Sequence, residues 1–261
     1  MIEARQIGFR YNGPWVLQDV SFDIVSGEVL GIIGPNGSGK TTLLKIMDGI
    51  LKPQEGEIRI SGKNVQHMRR SEIARLAAVV PQDCTVAFPF RVEEVVLMGR
   101  SPHLGLFSFE QKRDREIARR SMERTGIIAL AHRSLEELSG GERQRVWIAR
   151  ALAQEPKVLL FDEGTAYLDI RHQLEIFQLI RHLNREEGLT VIAVTHDINL
   201  ASQFADRIIL MDRGSIRRIG VPDNVICASL IEEVYGLSVL VDRHPQSGVP
   251  RVTLSHPRGI S

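Results

Sequence analysis

The sequence predicts an α/β fold with a mostly parallel sheet, an N-terminal antiparallel β subdomain and an inserted helical subdomain. Three observations carry this. E-V-L-G-I-I runs straight into the glycine-rich string Gly34–Thr41, and K-T-T-L-L-K-I-M-D-G-I-L then places apolar residues at helical spacing. From Val158 to Asp212, strand-like and helix-like runs alternate, as they do in β-α-β units with parallel strands. Between these regions, from Gln82 to about Glu155, helix-forming blocks dominate and strand runs are few.

Taken in order, Ile2 to Asp23 reads as short apolar stretches broken by Asn12-Gly13-Pro14, and Gly56 to Val65 alternates again, so both are expected as antiparallel strands. Pro53 ends the helix that follows the glycine string. E-Q-K-R-D-R-E-I-A-R-R-S-M-E-R and G-E-R-Q-R-V-W-I-A-R-A-L-A-Q-E supply the helical subdomain. V-L-L-F-D-E is then a buried strand, Ile170 to about Glu187 a helix, T-V-I-A-V-T a strand, the region near Ala201 a helix and I-I-L-M-D a strand. H-P-Q-S-G-V-P marks a turn between two short strands near the C-terminus. The expected division is a main domain over residues 1–240, its helical subdomain at about 83–157, and a small appendage over 241–261.

Composition narrows the function classes. With 43% hydrophobic and 25% charged residues the chain is ordinary globular material, which excludes a disordered or fibrous protein. A formal net charge of +1 offers no global field for nucleic acid or anionic lipid, so no nucleic-acid partner is expected. Cys84 and Cys227 lack C-x-x-C spacing, so neither a disulfide framework nor a zinc site is expected. The apolar runs Val29–Ile33 and Ile208–Met211 fall far short of the ~20 residues of a spanning helix. Met1 is followed by Ile-Glu-Ala-Arg rather than a basic and apolar leader, which predicts a cytosolic chain that reaches any membrane through a partner.

The string Gly34, Pro35, Asn36, Gly37, Ser38, Gly39, Lys40, Thr41, extended by Thr42, fits G-x-x-x-x-G-K-[ST] with the required strand before it and helix after it. Glycines there let backbone N–H groups close around a β-phosphate, Lys40 reaches β/γ oxygens and the Thr41 hydroxyl suits Mg²⁺. About a hundred residues on, L-S-G-G-E-R-Q opens another helix. Ser139 and Glu142 make a capping box, which by itself is only a well-formed helix start. Gly140 and Gly141 in its first turn do nothing for helix stability, since Gly costs up to ~1 kcal/mol relative to Ala, and close approach of a ligand accounts for them.

With both glycine signals in place, the chain resembles the ATP-binding cassette (ABC) ATPases, whose signature motif is L-S-G-G-Q/E. The resemblance implies a P-loop NTPase core, ATP and Mg²⁺ as ligands, and a homodimer in which each ATP lies between the phosphate loop of one cassette and the signature of the other. It also assigns roles to further residues. Asp162, at the end of V-L-L-F-D-E, would hold the Mg²⁺ shell and Glu163 would be the general base for the attacking water. His196 would contact the γ-phosphate, and Gln82, after V-V-P, would reach Mg²⁺ or the attacking water. Asp169 would belong to the loop crossing the dimer interface, and it also reads as an N-cap for the next helix. Tyr11 would stack on adenine, with core packing as the alternative. The family usually has proline after the catalytic glutamate, whereas this chain has Gly164.

V-V-L-M-G-R-S-P-H-L-G and D-I-R-H-Q-L-E-I-F resemble importers of ferric siderophores, haem and cobalamin. The resemblance implies two transmembrane permease subunits, docked through a groove near Phe88–Phe107, and indirectly a substrate-binding protein. It places the chain peripherally on the cytoplasmic side of the inner membrane. The competing reading is a soluble, non-transport ABC ATPase that signals its nucleotide state to another protein.

Overall fold

The computed structural model describes residues 1–81, 88–105, 109–162 and 169–255. The chain forms two compact units, Met1–Gly62 with Ile192–Ser261, and Lys63–Val191.

The first unit opens with β1 (Ile2–Phe9), β2 (Leu17–Ile24), β3 (Val29–Ile33), α1 (Lys40–Met47) and β4 (Glu55–Ile60). β1 pairs antiparallel with both β2 and β4, so the N-terminal strands form the antiparallel layer their alternation predicts. Leu17, Val20, Phe22 and Ile24 of β2 are buried while the residues between them are exposed. β3 is buried along its whole length, as the uninterrupted run V-L-G-I-I requires.

The second unit holds β5 (Lys63–Asn64), α2 (Arg70–Ala74), β6 (Ala77–Val80), α3 (Val92–Leu97), α4 (Lys112–Arg124), α5 (Gly140–Leu152), β7 (Val158–Asp162) and α6 (Ile170–Glu187), with β8 (Thr190–Val194) leading back to the first. β6 and β7 are parallel, with Ala77 opposite Val158 and Val80 opposite Phe161. α5 buries Val146, Trp147, Ile148, Ala149, Ala151 and Leu152, while α4 keeps Glu116, Arg119 and Arg120 as a solvent-facing ion-pair ladder. The M-G-R step after α3 is locked tightly. A Cβ on Gly99 would stand 2.1 Å from the Arg150 carbonyl oxygen. The Arg100 guanidinium, 3% exposed, pairs with Asp114 at 3.0 Å and Glu155 at 2.9 Å and donates to the Ala153 carbonyl at 2.6 Å.

The first unit resumes with α7 (Ile198–Phe204), β9 (Arg207–Asp212), β10 (Ser215–Gly220), α8 (Pro222–Val225), α9 (Ala228–Tyr235), β11 (Val239–Arg243) and β12 (Pro250–Leu254). β9 runs parallel to β3 and antiparallel to β10, and β11 and β12 form the hairpin that H-P-Q-S-G-V-P predicts. The core beneath them joins Ile33, Ala201, Ile208, Leu210, Val225, Ile226 and Val234.

Candidate nucleotide site

β3 delivers the chain into the phosphate loop, and α1 carries it away. Gly34, Gly37 and Gly39 all have positive φ, at +151°, +79° and +100°, so an L side chain is disfavoured at each. Space forbids one as well at two of them. A Cβ on Gly34 would lie 2.2 Å from the Met211 carbonyl oxygen, and one on Gly39 would lie 2.6 Å from Leu17 Cδ2. The loop is held from within, where Ser38 N–H donates to the Pro35 carbonyl at 3.2 Å, and from outside, where Gly214 N–H donates to the Ser38 carbonyl at 3.2 Å.

Lys40 is 5% exposed, and its ammonium donates to the carbonyls of Gly34 at 2.9 Å and Pro35 at 3.0 Å. Gly39 caps α1 without a side-chain hydrogen bond, and the positive end of the helix dipole lies at the loop, where it favours an anion. Pro35 is half-buried, Asn36 and Gly37 are exposed, Thr41 is half-buried, and Thr42 is buried at 8% exposure. Ser38 is buried, and its hydroxyl meets no hydrogen-bond partner among the described residues. Tyr11 is 55% exposed, with its ring edge-on to Phe9 at 4.9 Å between centroids, so core packing does not describe it. His196 follows β8 and is exposed, just before Asp197 caps α7 by accepting from Leu200 N–H at 2.9 Å.

The signature glycines lie in the second unit. Ser139 Oγ accepts from Glu142 N–H at 3.3 Å, while a Glu142 carboxylate oxygen accepts from Ser139 N–H at 2.9 Å and from Ser139 Oγ at 2.7 Å. The Ser139 hydroxyl and backbone together hold the Glu142 carboxyl below its usual range. Gly140 is exposed, but Gly141 is buried, and a Cβ there would stand 2.4 Å from His172 Cδ2. His172 N–H and Nδ1 each lie 2.9 Å from Asp169 Oδ1, and that carboxylate caps α6 and is held below its usual range by these contacts. Gly141 and Asp169 thus meet at His172, a residue the sequence reading did not select. Asp169-x-x-His172, an N-cap followed at i+3 by its partner, was its visible signal.

Asp162 ends β7. Gln82, Glu163, Gly164 and Cys84 lie outside the described residues. A groove of about 840 Å³ opens between α3 and α4, floored by Phe90, Leu97, Met98, Met122 and Ile128 and rimmed by Glu93, Glu94, Glu110, Arg115, Arg119 and His132. No helix among the described residues is long and apolar enough to cross a membrane.

The family profile described as ABC transporter matches residues 17–166, a span that takes in the phosphate loop, the signature and the acidic pair Asp162-Glu163. The chain belongs to the ABC transporter family. It is an ATP-binding cassette, and ATP hydrolysis is the reaction of that class. It is 45% identical over 259 residues to the hemin import ATP-binding protein HmuV of Gloeobacter violaceus, covering 97% of this chain and 93% of that one. Identity to the ferric enterobactin transport ATP-binding protein FepC of Escherichia coli is 39% over 251 residues, covering 96% and 93%. Among solved structures, a metal-chelate type ABC transporter in an inward-facing conformation superposes with a TM-score of 0.86 at 28% identity, covering 98% of this chain and 97% of that one. A dimeric post-hydrolysis ATP-binding cassette bound to ADP and phosphate superposes with a TM-score of 0.73 at 32% identity, covering 85% and 98%. The two-layer strand arrangement and helical insert of this ABC cassette are the fold that its sequence predicts.

Proposed function

We propose that this chain is the ATP-hydrolysing motor subunit of an importer for an iron chelate, either ferric siderophore or haem, or for cobalamin. The observation that carries the reading is the phosphate loop: three positive-φ glycines, a buried lysine and an uncapped helix start, in a chain whose relatives serve hemin and ferric enterobactin import.

Backbone N–H groups of Gly37 to Thr41 bind the phosphates, Lys40 exchanges loop carbonyls for β/γ oxygens, and the exposed Tyr11 ring stacks on adenine. Thr41 and Asp162, with Gln82, offer the hydroxyl, carboxylate and amide oxygens that suit Mg²⁺. Mg²⁺, when bound, neutralises charge on the β- and γ-phosphates. Glu163 takes the proton of the attacking water, and His196 orients the γ-phosphate. The helix start at Ser139–Glu142, with Asp169 beside it, faces the nucleotide held by a second copy of the chain. Closure of that homodimer on two ATP moves two transmembrane permease subunits, which receive cargo from a substrate-binding protein. The groove between α3 and α4, apolar below and charged at its rim, suits a short amphipathic helix of the permease. The chain then works as a peripheral subunit on the cytoplasmic face of the inner membrane.

Glu163→Gln tests the reading: turnover should fall about 10²- to 10⁴-fold while ATP binding persists, and uptake of the iron chelate should stop in cells relying on the variant. A purified chain that stays wholly soluble, with ATPase activity indifferent to any permease, would instead favour the non-transport ATPase.

A further inference from the structure

The contact between His172 and Gly141 is left without a task by the nucleotide reading. Gly141 lies in the regular first turn of α5, where alanine makes the better helix, yet a Cβ there would stand 2.4 Å from His172 Cδ2 and 3.2 Å from its Nε2. The imidazole is therefore seated on the signature turn. Its other side is held by Asp169, whose Oδ1 accepts from His172 N–H at 2.9 Å and lies 2.9 Å from Nδ1. An ionised carboxylate only accepts, so Nδ1 carries the proton and donates. One ring thus joins the acid that caps α6 to the backbone of the turn that opens α5.

A second contact fixes the same pair of helices. Arg145, four residues beyond Gly141, pairs at 3.4 Å with Glu175, three beyond His172, and Arg171 reaches the same carboxylate at 3.0 Å. Together these contacts set α5 and α6 side by side in the same sense, with their N-terminal ends at one edge of the unit. Gly140 and Asp169 are exposed at that edge, and beside them the apolar side chain of Ile170 is almost fully exposed. A surface offered to a partner binds it best when its parts are already in place, because ordering them on contact subtracts from the affinity.

We propose that His172 is a positioning residue for the composite nucleotide site: it holds Asp169 against the signature turn, so that the two meet a second copy of the chain as one preformed surface. The role rests on the reading of this helix start as facing the nucleotide of that second copy. Without the imidazole, the acid and the turn have to be ordered separately as the dimer closes. The two signature glycines then have different tasks. Gly140 lies open to a ligand, and Gly141 makes room for the ring that ties Asp169 down.

The test uses the full chain carrying Glu163→Gln, in which bound ATP persists, and reads ATP-driven dimerisation by sedimentation alongside ATP binding to the dilute monomer. Adding His172→Ala should raise the ATP concentration that half-assembles the dimer about 10-fold, as expected for one lost hydrogen bond to a charged group, and should leave the monomer's Kd for ATP within about 2-fold. His172→Asn keeps an N–H for Asp169 and lacks the rest of the ring, so its midpoint should fall between those of the parent and the Ala variant. Assembly of the Ala variant at the parent's ATP concentration overturns the proposal. So does an Asn variant that matches either extreme, and so does a monomer Kd weakened as much as assembly, which marks a general loss of fold. A Glu163→Gln parent that binds ATP yet stays monomeric overturns the composite-site reading itself, and this proposal with it.

Discussion

The phosphate loop and the signature helix start are both short glycine-bearing strings before a helix, yet they require glycine for different reasons. At Gly34 and Gly39 the requirement is backbone: φ is positive, and the would-be Cβ meets a main-chain oxygen at 2.2 Å or 2.9 Å. At Gly141 the helix is regular, and the space is denied by the imidazole of His172. One loop is shaped to hold an unusual conformation; the other is kept slim so that a neighbouring side chain can sit against it. Glycine in a motif therefore does not by itself identify a ligand's footprint.

The largest effect that bears on this contrast is expected from Gly34→Ala. A methyl group there faces a carbonyl that no side-chain truncation can remove, so nucleotide binding should be lost and unfolding should cost at least about 1–3 kcal/mol less, measured by titration with ATP and by chemical denaturation. Gly141→Ala should cost about 1–3 kcal/mol, and adding His172→Ala should restore most of that loss. If the double variant is no more stable than Gly141→Ala alone, the imidazole is not what excludes the side chain.

How far these differences could be read from the sequence depends on the range of the contacts behind them. Strand and helix bounds follow from local pattern: Ile170 to Glu187 is a helix because its apolar positions recur at helical spacing between Asp169 and Gly188. The phosphate loop is equally plain, since all its requirements lie within Gly34–Thr41 and its flanks. What stayed hidden is long-range. That His172 fills the space over Gly141 depends on how elements far apart in the chain are packed. α9 also went unread, because the eight residues before Gly236 are too few to establish a period. Tyr11 shows the reverse case, where one exposure value decides between stacking surface and core.

The smallest effect concerns the helix starts themselves. α5 has a side-chain cap and α1 has none, so Ser139→Ala should cost about 1 kcal/mol in thermal or denaturant unfolding. Acid should act on the same cap. Because the Glu142 carboxyl titrates below its usual range in the folded chain, its contribution is complete above the ordinary glutamate pKa and is lost as pH falls through the lowered one. Ser139→Ala should therefore show a shallower loss of stability over that acid window than the parent chain.

The Lys40 ammonium already donates to the carbonyls of Gly34 and Pro35. Binding of a phosphate at this loop is consequently an exchange reaction, in which the incoming oxygens compete with acceptors the loop itself provides. The affinity for phosphate is then a difference between two sets of bonds to one cation. A lysine that serves as its own placeholder lets the cassette release spent nucleotide without ever leaving a buried charge unsolvated.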